Sequence, residues 1–339
     1  MSKNSLTRLF NSFYQDVSEY LLIVENEINR FISDDCELAK MCAYTLNAGG
    51  KRIRPLLLLL ACEAVNGNIK NALSVSAAVE LAHTMGLIQD DIFDNAETRR
   101  GKKPVHIVWG IHNAILASDF LFLKSVEAVT SLANLLKGKE QQVIEILNLF
   151  VKAGLKAIEG EYLDLIISQR KIASIEECLE VARKKTGAFI KVSLEAGAII
   201  GNAAQTEREA LSEYGDSIGV AYQLADDILG LTSLSQTLGK EIGSDIRNGK
   251  ITVIIAHCLN TCSESQKRAI LRTLGNREAE KVEVEEIIEI LKECGSIDYA
   301  YGLARNYASE AKKKLETLPQ TRAKQILGQM AELIVSRQW

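Results

Sequence analysis

Between Leu81 and Arg100 the chain reads LAHTMGLIQDDIFDNAETRR. On a helix, residues four apart stand one above the other, so Asp90 and Asp94 share a face, and His83, two turns earlier, falls on it as well. The residues before Asp90 are largely apolar or small, and Arg99-Arg100-Gly101 follow soon after Asp94. A helix that is apolar below and carries carboxylates at one end can hold a divalent cation at the mouth of an apolar cavity. Oxygen ligands of this kind suit Mg²⁺, which keeps several waters and commonly bridges carboxylates to substrate phosphates. The same spacing also occurs on solvated helix faces, and the motif alone does not separate the two.

Other chemistry-bearing stretches recur along the chain. Gly49-Gly50-Lys51-Arg52-Ile53-Arg54-Pro55 is a flexible turn presenting three cations, and it opens a helix expected over Leu56–Asn66. A helix N-terminus favours anions, Lys offers a point charge, and Arg can grip phosphate oxygens bidentately. A solvated basic turn is the competing reading. Late in the chain, Gly219–Gly230 (GVAYQLADDILG) places a second acidic pair, Asp226-Asp227, near the end of an apolar helix, one turn after Gln223. Leu238-Gly239-Lys240, Gly243-Ser244-Asp245 and Gly249-Lys250-Ile251-Thr252 come next. Glu161 and Asp164, inside Gly160–Leu165, line a cavity or cap packing faces. Asp34-Asp35 looks acidic too, but the fourth residue on is Leu38, so it is read as a loop or helix cap.

The elements that must position these groups are helical. Apolar residues recur every three or four positions from Leu6 to Phe31. The acidic helix is expected over Ala72–Asn95, a loop over Lys102–Gly110, and further helices over Ile111–Leu136, Gln141–Ser168 and Glu176–Gly201. Lys184-Lys185-Thr186-Gly187 is a weak spot in the last of these, because Gly costs about 1 kcal/mol there relative to Ala. Such a spot lets backbone carbonyls face a cavity. Glu264–Trp339 reads as helical without a chemical motif. Strand signals are nearly absent, with Ile251–Ile255 β-branched but isolated. Since the motifs near 50 and near 245 need each other, residues 1–339 read as a single all-α domain.

A net charge of -4 gives no case for a nucleic acid partner. The cysteine count is odd, seven, without a CxxC pair, so neither a disulfide frame nor a zinc site is implied and a reducing compartment is expected. The first residues, MSKNSLTRLF, carry no apolar signal core, and no apolar run reaches the roughly 18 residues of a membrane helix. The expected localisation is cytoplasmic, with no transmembrane segment.

Together these motifs require a ligand that is polyanionic and has a large apolar body. Bare carboxylates facing a diphosphate repel it by about 4 kcal/mol per charge pair at 4 Å and an effective dielectric near 20. Divalent metals reverse that sign, and the lysines and arginines neutralise the remainder. GGKRIRP, HTMGLIQDDIFD, RRG, GEYLDL, KTG, GVAYQLADDILG and GKEIGSDIRNGKIT stand in the order and spacing of the trans-isoprenyl diphosphate synthases. The chain resembles that family from about Asn47 to Thr252.

The resemblance implies the isoprenoid synthase fold, an antiparallel helical bundle around a deep central cavity, and a homodimer. It implies head-to-tail joining of isopentenyl diphosphate to an allylic diphosphate, with three Mg²⁺ ions per site. By position, Asp90 and Asp94 resemble the first-motif metal ligands, with Asp91 supporting them, and Asp226 resembles the second-motif ligand. Lys51, Arg54, His83 and Arg100 resemble the isopentenyl diphosphate pocket. Arg99, Lys185, Lys240 and Lys250 resemble the cations that grip the allylic diphosphate. Thr186 and Gln223 resemble the groups whose oxygens face the developing carbocation. The candidate catalytic set is therefore Asp90, Asp94, Lys185, Thr186, Gln223, Asp226 and Lys240.

Four positions depart from the family's frequent residues: Gly230 stands in place of a third Asp, Gln89 of a His, Glu161 of a Gln and Ser118 of a Gly. DDILG resembles some geranylgeranyl synthases. Met85 and Gly86, at positions where aromatic residues resemble a plug in shorter-chain members, point to a C20 product made from farnesyl diphosphate, with C25 and above as the alternative. A terpene cyclase would not need GGKRIRP and RRG. A non-catalytic partner subunit would be expected to have lost acids that this chain retains.

Overall fold

A computed structural model describes residues 3–135, 138–232 and 242–336, with side chains from Ser12 onward. Among these residues no strand forms, and most of the chain is helical. The first helix, α1 (Lys3–Phe31), buries Val17, Val24, Ile28 and Phe31, the face marked by its apolar repeat. Helix α2 (Glu37–Leu46) is capped by Cys36, whose Sγ accepts from the Ala39 amide, while Asp34 pairs with Lys124 at 2.6 Å. Helix α3 (Ile53–Ala64) has Leu56 to Cys62 all buried, as a helix apolar on every side must be.

The acidic helix is α4 (Leu73–Phe93), preceded by a 3₁₀ turn at Ile69–Ala72. The expected loop at Lys102–Gly110 instead contains a short helix, α5 (Val105–Trp109). Its five residues are too few to show a helical period. Tertiary packing forms it, with Val105 buried and Trp109 edge-on to Tyr44 at 5.0 Å. Helix α6 (Ile111–Thr130) ends at Ser131, earlier than expected, and the short α7 (Leu132–Leu135) follows. Helix α8 (Glu140–Arg170) is the longest.

The stretch expected as one helix over Glu176–Gly201 divides into α9 (Ile175–Val181), a π-helical turn (Ala182–Gly187) and α10 (Ala188–Ile200). The widened turn falls on the Lys-Thr-Gly weak spot, in keeping with the tendency of π-bulges to mark functional sites. Then come α11 (Gln205–Thr232), α12 (Ser244–Arg247), α13 (Val253–Thr261), α14 (Glu264–Thr273), α15 (Lys281–Glu293), α16 (Ser296–Lys314) and α17 (Arg322–Ser336). The β-branched Ile251–Ile255 leads into α13, with Thr252 as its N-cap.

Helix α4 packs along α6, α3 against α10, α10 against α8 and α11, and α11 along α16. Buried residues form two clusters, one around α1, α3, α4, α6 and α10, the other around α9, α13, α15 and α16. Helix α11 contributes to both, and the second acidic pair lies on its second-cluster half. The seven cysteines are unpaired, and burial pushes the thiols of Cys42, Cys62, Cys178 and Cys258 up to about 12, so these four are inert core residues at neutral pH. No described helix is long and apolar enough to cross a membrane.

Candidate active site

A cavity of about 1250 Å³ lies between α4, α6, α8, α10 and α11. Its walls include Met85, Gly86, Phe122, Val126, Leu147, Phe150 and Phe189, while charged groups gather where α4 and α11 end. Asp90 and Asp94 line it from α4; Gln223, Asp226 and Asp227 line it from α11. Glu161 and Asp164 of α8 line it too, as do Lys185 and Thr186 of the π turn. Close packing sets that turn in place. A Cβ on Gly219 would come within 2.6 Å of the Gly187 Cα, so the lack of a side chain at Gly219 lets α11 lie against the turn.

Two lysines stand among the carboxylates. Lys185 lies 3.8 Å from Asp90 and 3.1 Å from Asp164, and it contacts Glu161 directly. Lys250 lies 2.8 Å from Asp94 and 3.8 Å from Asp245. Burial opposes the charge of both ammonium groups, yet the surrounding carboxylates outweigh it and hold both pKa values above the usual lysine range. Burial raises the Glu161 carboxyl above its ordinary value, while Lys185 pulls it back. Arg99 is bound to Asp91 at 2.6 Å, so the middle acid of the first motif is tied to an arginine.

The donor set fits a hard divalent cation. Asp90, Asp94 and Asp226 offer only oxygen, and ammonium groups already sit against the first two, where positive charge is needed. No group of three His, Cys, Asp or Glu side chains among the described residues closes into a ready-made metal cage.

A second cationic cluster borders the same cavity. Lys51, Arg54, His83 and Arg100 line it beside the Gly49-Gly50 turn. The Arg54 Nε is buried without a hydrogen-bond acceptor, which leaves a donor for an anion. Burial, then the nearby Arg54 and Arg100, holds the His83 imidazole well below its ordinary value, so the ring is neutral at neutral pH. Arg52 serves as the anchor of this turn. It pairs with Glu25 at 2.6 Å and Glu80 at 2.9 Å, and it donates to the Leu46 carbonyl at 2.7 Å. Gly50 has φ +148, and a Cβ there would come within 2.9 Å of both the Arg100 and Arg52 guanidinium groups.

Thr186 Oγ1 donates to Gln223 Oε1 at 2.5 Å, and Gln223 Nε2 donates to Asp227 Oδ1 at 2.7 Å. Asp227 itself is raised well above the carboxylate range by burial and by Asp245. All sequence-derived site residues within the described stretches therefore border one cavity. Lys240 lies outside the described residues. Sequence reasoning singled out Asp227 and Asp245 without giving either a role, and it missed the Phe150–Phe189 pair, whose rings meet edge-on at 5.6 Å. The Gly-Ser-Asp at 243–245 was the available signal for Asp245. A Cβ at Gly230 would lie 3.4 Å from its Oδ2, so a carboxylate from another segment stands beside the missing third acid.

The family model for polyprenyl synthetase matches residues 35–291. The chain is 39% identical over 322 residues to a short chain isoprenyl diphosphate synthase of Methanothermobacter thermautotrophicus, covering 94% of this chain and 97% of that one. A solved geranylgeranyl pyrophosphate synthetase from Pyrococcus horikoshii is similar at TM-score 0.89 and 36% identity, over 97% of this chain and 99% of that one. A polyprenyl synthase from Caulobacter crescentus, complexed with calcium and isoprenyl diphosphate, is similar at TM-score 0.88 and 30% identity, over 98% of each chain.

Proposed function

This chain belongs to the polyprenyl synthetase family and is a trans-prenyltransferase, and from that premise we propose that it joins isopentenyl diphosphate head-to-tail to farnesyl diphosphate, giving geranylgeranyl diphosphate and diphosphate. One observation carries the reading: one large cavity has apolar residues such as Met85, Phe122, Leu147 and Phe189 in its walls, and it is also bordered by a cluster in which Lys185 and Lys250 pair with Asp90, Asp164 and Asp94. An isoprenoid diphosphate has the complementary shape, an apolar chain with its charge at one terminus. Residues 1–339 act as one catalytic unit in this reading, because the site draws on helices of both buried clusters. A homodimer in the cytoplasm is part of the proposal, and exposed Ile115, Leu116 and Leu123 on α6 with Leu155 and Ile158 on α8 supply an apolar face for the second copy.

Asp90, Asp94 and Asp226 would hold Mg²⁺, three ions in all. Bound there, the metal offsets the negative charge of the departing diphosphate. Lys185, Lys250, Arg99 and Lys240 bind and orient the allylic diphosphate. Lys51, Arg54, His83 and Arg100 hold isopentenyl diphosphate, and Arg54 brings the buried donor noted above. As the allylic C–O bond ionises, the oxygens of Thr186 and Gln223 face the cationic carbon, already oriented and shielded from water. The isopentenyl double bond then attacks that carbon, and the final proton leaves to the released diphosphate. The direct test is purified protein with Mg²⁺, labelled isopentenyl diphosphate and farnesyl diphosphate. A C20 diphosphate is expected, and no prenyl transfer with any allylic primer would end the proposal.

Chain length follows from depth along α4. Met85 precedes Asp90 by five residues, about 7.5 Å along the helix axis, and both border the cavity. Met is unbranched and can move aside at modest cost, whereas Gly86 adds no bulk. Met85→Phe should shorten the product distribution and Met85→Ala should lengthen it, read by chromatography of the dephosphorylated products. Identical distributions in both variants would shift the stop to the Phe150–Phe189 pair on α8 and α10.

A further inference from the structure

We propose that Asp227 is a positioning residue for this reaction, fixing the Gln223 amide so that its carbonyl oxygen, not its NH₂, stands beside Thr186 at the cavity. The inference rests on the prenyl-transfer reading and adds a role to an acid that the reading leaves without one. Asp227 follows Asp226 in sequence, but it is one turn beyond Gln223 on α11 and so shares that residue's face. Its Oδ1 accepts from Gln223 Nε2 at 2.7 Å, and Gln223 Oε1 accepts in turn from Thr186 Oγ1 at 2.5 Å. The two bonds run in one direction, from hydroxyl to amide to carboxyl.

An amide has two orientations that differ only by exchange of O and NH₂. The Oδ1 that meets Gln223 can accept whether or not the carboxyl's other oxygen carries a proton, so it selects the orientation with NH₂ toward Asp227. Gln223 Oε1 is then directed to Thr186, and the Thr186 hydroxyl, having given its hydrogen to Oε1, has lone pairs left for the cavity. The flipped amide would place N–H hydrogens next to a carbocation and repel it. Burial makes the effect larger, because Thr186 is only 9% exposed and fields in such a site are weakly screened.

A metal ligand or a purely structural acid at 227 would behave differently. Asp227→Asn keeps the shape but can turn either O or NH₂ toward Gln223. Expected results are a kcat lowered about tenfold or more, both substrate KM values within about twofold, and an unchanged half-saturating Mg²⁺ concentration. Asp226→Asn should instead raise that Mg²⁺ concentration. In a Gln223→Leu background, Asp227→Asn should lower kcat by less than about twofold further, since the group it orients is gone. Multiplying effects in the double variant, or a Mg²⁺ requirement that shifts as in Asp226→Asn, would overturn the role. If Asp227→Asn folds poorly by thermal melting, Asp227→Ser is read in the same cycle with the same two outcomes deciding. Wild-type protein without prenyl transfer would overturn the functional reading itself, a result separate from any of these.

Discussion

Asp90→Ala or Asp94→Ala should lower turnover by about 10²–10³-fold, the loss expected when a group that stabilises transition-state charge is removed. Asp90 and Asp94 share one face of α4 at the cavity mouth, and each has an ammonium group drawn to it. The loss should fall on kcat together with kcat/KM, because the missing interaction strengthens as negative charge builds on the leaving diphosphate. The half-saturating Mg²⁺ concentration should rise in both variants. Asp34→Ala serves as the control. Its carboxylate pairs with Lys124 at 2.6 Å but is 46% exposed, so the pair is worth about 0–1 kcal/mol and turnover should stay near wild type. Thermal melting separates lost chemistry from lost fold, since both α4 acids are near the surface end of the helix. Equal losses at Asp34 and Asp90 would remove the first acidic motif from the mechanism.

What could be read from the sequence follows the range over which each signal acts. Helical period and charge spacing are local, so α4, α8 and the rim positions of Asp90, Asp94 and Asp226 could be placed without coordinates. The π turn was visible only as weakness at Lys184–Gly187, because its form depends on Gly219 of α11 meeting Gly187. Helix α5 left no periodic trace in five residues and is held by contacts such as Trp109 on Tyr44. Asp245 could be singled out but not given a place, for a similar reason. It stands beside Gly230 where the Gly243 amide donates to the Gly230 carbonyl at 2.9 Å, a contact that no spacing along the sequence encodes. Lys185 and Lys250 were read as cations for a diphosphate, but their contacts with Asp90 and Asp94 emerged only in three dimensions.

Arg52 was read as one of three cations in a turn that either binds an anion or is simply solvated, and it should prove the most costly of the three to remove. Its side chain is 3% exposed, and Glu80, which it meets at 2.9 Å, is 2% exposed. Glu25 at 2.6 Å and the Leu46 carbonyl at 2.7 Å complete its partners, so the guanidinium ties α1, α2 and α4 to the start of α3. The residue adopts φ +48, a left-handed conformation that costs a side chain about 1–2 kcal/mol and persists because these bonds hold it. Arg52→Met would strand the Glu80 carboxylate in the interior, a defect that destabilises by about 3–5 kcal/mol. Against a total stability of about 5–15 kcal/mol for a typical protein, that is a large fraction. Chemical denaturation should show the loss directly, together with a raised KM for isopentenyl diphosphate, because Lys51 and Arg54 flank the same turn. Arg52→Met combined with Glu80→Leu should recover much of the stability, since no buried charge is then left unpaired. A single variant within 1 kcal/mol of wild type, or a double variant worse than the single, would show that the turn is held by something other than this ion pair.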